Sequence, residues 1–119
     1  MTLSTNRLAA SLAFLAGGAH WAVCSAIVGG EAWDGGVYYT TLPLVAGACA
    51  AIGGFAPERP WRWGALAASG QALGLLLTAG AGASMLPVGM ALLGMLGGAL
   101  SGCSWLGAWV ARRIGPDRG

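Results

Sequence analysis

The chain has 119 residues, of which 56% are hydrophobic and only 8% are charged, and its mean hydropathy is +0.69. Soluble domains carry about one quarter charged residues, so the composition excludes an ordinary soluble protein and predicts a membrane protein. The formal net charge of +2 says little about partners, and we expect no nucleic acid among them.

The apolar residues fall into four runs, and each run is long enough for a membrane-spanning helix of about 20 residues. We therefore predict an all-α membrane protein whose single domain covers residues 1–119. Its four transmembrane helices are expected to form two tandem helical hairpins. The predicted helices cover about residues 8–29, 37–56, 64–83 and 87–111.

The first run follows Arg7 and a polar start, Ser4-Thr5-Asn6, that can cap a helix. A basic start before an apolar run is also found in signal peptides. The run is longer than the 7–15 apolar residues that are usual there. Val23 stands before Cys24, where a lipoprotein signal has a small residue. We expect the run to be retained as the first helix.

The segment Pro57–Trp63 separates the two predicted hairpins, and it combines prolines, arginines and tryptophans. Prolines end one helix and keep it from joining the next, while tryptophan suits the lipid headgroup region. The segment is therefore predicted to be a hinge on the membrane surface. The predicted aromatic belts are Trp33, Tyr38 and Tyr39 at one interface, and Trp61, Trp63 and Trp109 at the other.

Every basic residue is an arginine, and the arginines fall at the start, in the hinge and at the end of the chain. They are Arg7, Arg59, Arg62, Arg112, Arg113 and Arg118. The other two connections contain no basic residue, and one of them carries Glu31 and Asp34. Because cytoplasmic loops are enriched in basic residues, both termini and the hinge are predicted to be cytoplasmic. The abundance of alanine, glycine and arginine favours a bacterial source, and we expect a multi-pass protein of the inner membrane.

Two helices carry glycines at four-residue spacing, which lets helix backbones approach closely in lipid. Gly94, Gly98 and Gly102 share one face of the fourth helix, while Gly70 and Gly74 lie on the third. These residues are predicted to pack helices together. The spacing fits both packing within one bundle and an interface with another subunit.

His20 is the only histidine and is expected near the middle of the membrane, where an ionisable side chain is costly unless it has a partner. Three roles are open for it: a structural hydrogen bond, proton transfer, or axial ligation of a haem. Gln71 lies at a similar predicted depth, so the two side chains can meet directly or through water. Trp21 is adjacent to His20 and can line a cavity, face lipid or face a packing partner.

The chain contains no nucleophile–base set, phosphate loop or metal-ligand spacing, so we expect neither enzymatic activity nor a cofactor. Cys24, Cys49 and Cys103 all fall inside apolar runs and are expected to be packing residues.

The function expected from these features is that of a non-catalytic membrane subunit or a homo-oligomeric scaffold. The alternative is a small oligomeric transporter or channel whose path is lined by His20, Gln71 and Trp21. The expected partners are the lipid bilayer and further copies of the chain, or a larger membrane complex.

Overall fold

The computed structural model describes residues 3–29, 32, 35–79 and 86–115, which fold into four α-helices. They are α1 (Leu3–Val28), α2 (Gly36–Phe55), α3 (Trp61–Ala79) and α4 (Leu86–Ile114). The prediction of an all-α protein with four helices is therefore confirmed. The predicted acidic connection with Glu31 and Asp34 lies outside the described residues, as do Trp33, Arg118 and residues 80–85 between α3 and α4.

Three helices are long and apolar enough to cross a membrane, namely α1, α2 and α4. The sequence predicts four such helices, and the described part of α3 is not among those that meet this criterion. α3 instead packs extensively against both α1 and α4. A helix enclosed in this way can carry a polar residue without exposing it to lipid.

The helices close into a ring in the order α1, α3, α4, α2, with the most extensive contacts between α1 and α3. Gly17 of α1 lies against Ala67 of α3, and further along both helices Trp21 lies against Gly74. Because the contacts advance in the same direction on both helices, α1 and α3 run parallel. The most extensive contact joins helices of different predicted hairpins. Within the predicted hairpins, α3 and α4 also pack extensively, while α1 and α2 touch each other less.

Close helix contacts occur where a glycine faces the backbone of a neighbouring helix. A Cβ atom on Gly17 would overlap the carbonyl of Ala67, and one on Gly53 would overlap that of Ser104. Gly64 of α3 faces the backbone of α4 in the same way. Without side chains in between, the helix axes can come closer than bulkier residues allow.

One end of the bundle collects the arginines of the described chain. Ala13 near the start of α1 clusters with Ile52 of α2 and with Trp63 at the start of α3. Gly54 near the end of α2 lies against Ala111 near the end of α4. This arginine end, as we name it, holds Arg7, Arg59, Arg62, Arg112 and Arg113.

The connection between α2 and α3 is fixed by a buried tryptophan. Trp63 is 1% exposed, and its Nε1 donates a hydrogen bond of 2.8 Å to the carbonyl oxygen of Ala56. Arg59 in the turn has a φ of 47°, in the left-handed region that residues other than glycine rarely adopt. The expectation that Trp63 lies in an interfacial belt is wrong, because its ring fills the space under the turn. Trp61, by contrast, is 58% exposed.

The second aromatic residue that departs from its predicted belt is Tyr38. It is 3% exposed, whereas the adjacent Tyr39 is 60% exposed. The two side chains differ because successive positions of a helix point about 100° apart. Only Tyr39 faces outward, and Tyr38 belongs to the core.

Candidate functional site

The polar core residues predicted on α1 and α3 are in direct contact. Gln71 is fully buried, and its Nε2 lies 3.1 Å from Nδ1 of the half-buried His20. The expected contact between these side chains is therefore present. No intervening water is needed, because the distance is that of a direct hydrogen bond.

Two residues at the start of α2 extend this contact into a network. The Tyr38 hydroxyl donates to Oε1 of Gln71. On the other side, Nε2 of His20 lies 2.9 Å from Oγ1 of Thr41, which donates a 2.6 Å bond to the carbonyl oxygen of Val37. The polar network therefore consists of Tyr38, Gln71, His20 and Thr41, and it ties α1, α2 and α3 together.

The order of donors and acceptors assigns the histidine tautomer. Because Oε1 of Gln71 accepts from Tyr38, the amide nitrogen faces His20 and donates to Nδ1. The hydroxyl hydrogen of Thr41 goes to the backbone, so its oxygen accepts from His20. The ring proton then lies on Nε2, and the imidazole is neutral. Each of the four polar side chains has a partner, as buried polar groups require.

Apolar and aromatic groups enclose the network. The rings of His20 and Tyr38 have centroids 4.7 Å apart, and the Trp21 ring meets Tyr38 edge-on at 6.0 Å. Trp21 is 1% exposed and packs with Leu75 in the same cluster. Trp21 is thus a packing residue of the core, which was one of the roles expected for it.

The network reaches from Gln71, near the middle of α3, toward the end of the bundle that joins α1 to α2. His20 is eight residues before the end of α1 at Val28, or about 12 Å at 1.5 Å per residue. Tyr38 lies in the first turn of α2. The depth of His20 in the membrane stays a prediction, and the network continues from His20 toward the connection between α1 and α2, the end opposite the arginines.

A groove of about 410 Å³ lies between α1 and α2, where these helices are less tightly packed. Its walls are mainly aliphatic, and the side chains with polar atoms are His20, Cys24 and Thr41. Gln71 and Trp21 do not line it. The three candidate path residues are therefore adjacent to one another, but only His20 borders this groove.

The predicted packing glycines divide into two groups. A Cβ on Gly70 would overlap the backbone of α1, and one on Gly74 would press on the Trp21 ring. At Gly94, Gly98 and Gly102 of α4, by contrast, an added Cβ would meet no atom within 4 Å. The interpretation that this face packs within a single bundle is therefore wrong, because it points outward. Gly94 and Gly98 border a groove of about 500 Å³ between α3 and α4.

The cysteines do not form a metal or disulfide site. Cys24 and Cys49 are buried, Cys103 is partly buried, and all three are free thiols. Within the described ranges, no group of three or more His, Cys, Asp or Glu side chains could hold a metal ion. Cys24 Sγ lies 3.7 Å from Oγ1 of Thr41, a weak contact at the edge of the network.

Sequence reasoning missed Tyr38 and Thr41 as members of the network. A signal was present, because the two residues are three positions apart and share one face of α2. Tyr38 was assigned to an interfacial belt from its position at the helix start. An aromatic residue with a hydroxyl fits that location as well as it fits a polar core.

Comparison of the chain with protein-family models, with curated proteins and with solved structures gives no match.

Proposed function

We propose that the chain is a multi-pass protein of the bacterial inner membrane that acts without catalysis, as a homo-oligomeric scaffold or a non-catalytic subunit of a membrane complex. In the proposed arrangement all four helices cross the membrane as two tandem hairpins. α3 crosses among its neighbours, which shields Gln71 from lipid. The arginine end faces the cytoplasm, in keeping with the enrichment of basic residues on that side.

The observation that carries this proposal is the uncovered glycine face of α4, formed by Gly94, Gly98 and Gly102. Elsewhere in the bundle, glycines such as Gly17 and Gly53 lie directly against the backbone of a neighbouring helix. The α4 face has glycines at four-residue spacing, and a Cβ added at any of the three would meet no atom within 4 Å in the described chain. A helix of another subunit would find there the close approach that packing in lipid requires.

The polar network supports the same proposal. Tyr38, Gln71, His20 and Thr41 bond to one another and to the backbone. A side chain that binds a substrate or ion needs a hydrogen-bond donor or acceptor for it. In this network the side chains direct their hydrogen bonds to one another and to the backbone. We therefore assign the network to holding three helices in register.

The proposal is tested by the oligomeric mass of the purified protein in detergent, together with crosslinking in native membranes. Wild type should form one defined oligomer, and Gly98→Ile should reduce it to the monomer with the helical content unchanged. Ala99→Ile is the matched control, because it places the same side chain about 100° around the helix from the glycine face. A monomeric wild type in native membranes, or equal oligomers for both variants, would contradict the proposal.

Transport is the second candidate function, and the groove between α1 and α2 is the observation that favours it. His20 and Thr41 bring polar atoms to a groove whose other walls are aliphatic. A hydrophobic molecule with one hydrogen-bonding group could occupy it from the lipid side. The two candidates differ in what a substitution at His20 does to flux.

A further inference from the structure

A pocket of about 450 Å³ opens at the arginine end, between the start of α1 and the connection from α2 to α3. We name it the hinge pocket, and its lining residues are Asn6, Glu58, Arg59 and Arg62. It is separate from the polar network and from the glycine face of α4. Its lining combines two positive charges, one negative charge and one neutral amide.

Arg62 is held in place before any ligand arrives. Its Nη2 donates to the carbonyl oxygen of Glu58 at 3.0 Å, and its Nε donates to that of Arg59 at 3.3 Å. The guanidinium also stacks 4.6 Å from the ring of Trp63, which is itself anchored to Ala56. A guanidinium carries further N–H groups beyond these, in a planar arrangement that suits phosphate oxygens. A preordered cation loses little entropy on binding an anion.

Arg59 contributes the second positive charge from an unusual backbone position. Its φ of 47° lies in the left-handed region, where glycine or asparagine is the ordinary choice. The side chain is exposed and lines the pocket. The left-handed conformation is unfavourable for arginine, so its presence here indicates that the positive charge at this site has a function.

Asn6 supplies an acceptor that lacks a donor. Its Oδ1 is buried, and it has no hydrogen-bond partner among the residues that the structure describes. A buried carbonyl oxygen without a partner is costly, so its presence beside a polar pocket indicates a donor from a bound group. The donor must carry an N–H or O–H, which a bare phosphate diester does not supply.

We propose that the hinge pocket binds the headgroup of a phospholipid that carries an ammonium group, as phosphatidylethanolamine does. The guanidinium groups of Arg59 and Arg62 take the phosphate. The ammonium donates to Oδ1 of Asn6, and the negative charge of Glu58 at the rim favours the same cation. Exposed Trp61 next to the pocket is the residue type that lies among headgroups, so the acyl chains can continue along the bundle. The proposal rests on membrane insertion of the bundle and is independent of its oligomeric state.

The test uses the full-length protein, delipidated in detergent, with native mass spectrometry to measure lipid binding. The added lipids are phosphatidylethanolamine, phosphatidylcholine, whose methylated ammonium has no N–H, and phosphatidylglycerol. Phosphatidylethanolamine should bind at least about fivefold more tightly than phosphatidylcholine, since only the former can satisfy the Asn6 acceptor. Asn6→Leu should remove most of this difference between the two lipids.

Arg59→Gln should weaken binding of phosphatidylethanolamine about fivefold, the effect of one arginine on an anionic group at the membrane surface. It is preferred to an Arg62 variant, because the Arg62 side chain also holds the turn. Arg112→Gln removes an exposed arginine from the same end of the bundle but outside the pocket, and it should leave binding unchanged.

Four outcomes would overturn the proposal. Equal binding of phosphatidylethanolamine and phosphatidylcholine by wild type would exclude recognition of the donor. Tighter binding of phosphatidylglycerol, whose headgroup hydroxyls can also donate to Asn6, would show that the pocket does not select an ammonium group. Equal losses of lipid binding in Arg59→Gln and Arg112→Gln would show that the arginines attract the lipid by charge alone, without a defined pocket. Displacement of the lipid by inorganic phosphate at the same concentration would assign the pocket to the free anion.

Discussion

Gln71 of α3 and His20 of α1 lie 51 positions apart in the sequence, yet the Gln71 amide nitrogen is 3.1 Å from Nδ1 of the histidine. The contact joins two parallel helices that approach closely because Gly17 and Gly70 have no side chains in the interface. Small residues and polar residues thus act together, since the glycines bring the helices close enough for short polar side chains to meet. The contact fixes the rotation of α1 relative to α3.

Gln71→Leu should lower the free energy of unfolding by about 1–2 kcal/mol, toward the upper end of measured hydrogen-bond contributions inside membranes. The substitution keeps a side chain of similar size, but it removes the bonds that the Tyr38 hydroxyl and Nδ1 of His20 make to Gln71. Thermal unfolding in detergent measures the change. Ser69→Ala on the same helix is the control, because that hydroxyl is exposed and bonds only within α3, and its effect should be small. Equal stability of the two variants would exclude a structural role for the network.

Tyr38→Phe should cost about 0.5–1 kcal/mol of stability, because it removes one donor and leaves Oε1 of Gln71 unpaired while the ring stays packed. Tyr39→Phe, one position away, alters a side chain that is 60% exposed and should have little effect. The paired measurement separates the core tyrosine from the outward-facing one. A larger loss for Tyr39→Phe would reverse the assignment.

Helix number and approximate helix positions could be predicted from the sequence because apolar runs of about 20 residues are a strong signal. The contact of His20 with Gln71 could also be predicted, since both are polar side chains in apolar runs at similar depth. The contact was inferred from the similar positions of the two residues along their helices. The inference did not require knowing which helices are neighbours.

The features that could not be predicted depend on the rotation of each helix and on which helices are adjacent. Tyr38 and Trp63 were assigned to interfaces because of their positions near helix ends, and both point inward in the structure. Gly94 and Gly98 share the spacing of packed glycines but face outward, since α3 and α2 contact other sides of α4. In a helix that is apolar all round, the pattern of residues does not indicate which side faces the core.

Gly17→Ala should strongly destabilise the protein, by about 1–3 kcal/mol as for other overpacked sites, because the new Cβ would overlap the carbonyl of Ala67. Gly47→Ala in α2 is the control, since a Cβ there meets nothing within 4 Å. Alanine is the better helix former, so the control should be neutral or slightly more stable. Thermal unfolding of both variants decides the question, and similar melting temperatures would place Gly17 outside a close contact.

The proposed orientation is tested by labelling single cysteines in a background in which the native cysteines are replaced by alanine. An engineered cysteine at Asp34 should react with an impermeant reagent added to intact cells, and one at Arg59 should react only after the membrane is opened. The expected pattern follows from the absence of basic residues on the Asp34 side. The reverse pattern would place the arginine end outside the cytoplasm.

His20→Gln distinguishes the scaffold proposal from transport, because glutamine keeps a donor and an acceptor but cannot titrate near neutral pH. In the scaffold proposal, the variant should lose about 1–2 kcal/mol of stability at most and keep its oligomeric mass. His20→Leu should lose more, because it removes the bonds that Gln71 Nε2 and Thr41 Oγ1 make to the imidazole. The measurement pairs unfolding in detergent with flux of protons and hydrophobic cations in liposomes. If wild type carries a flux that a stable, correctly assembled His20→Gln variant lacks, the transport function is correct and the scaffold proposal is wrong.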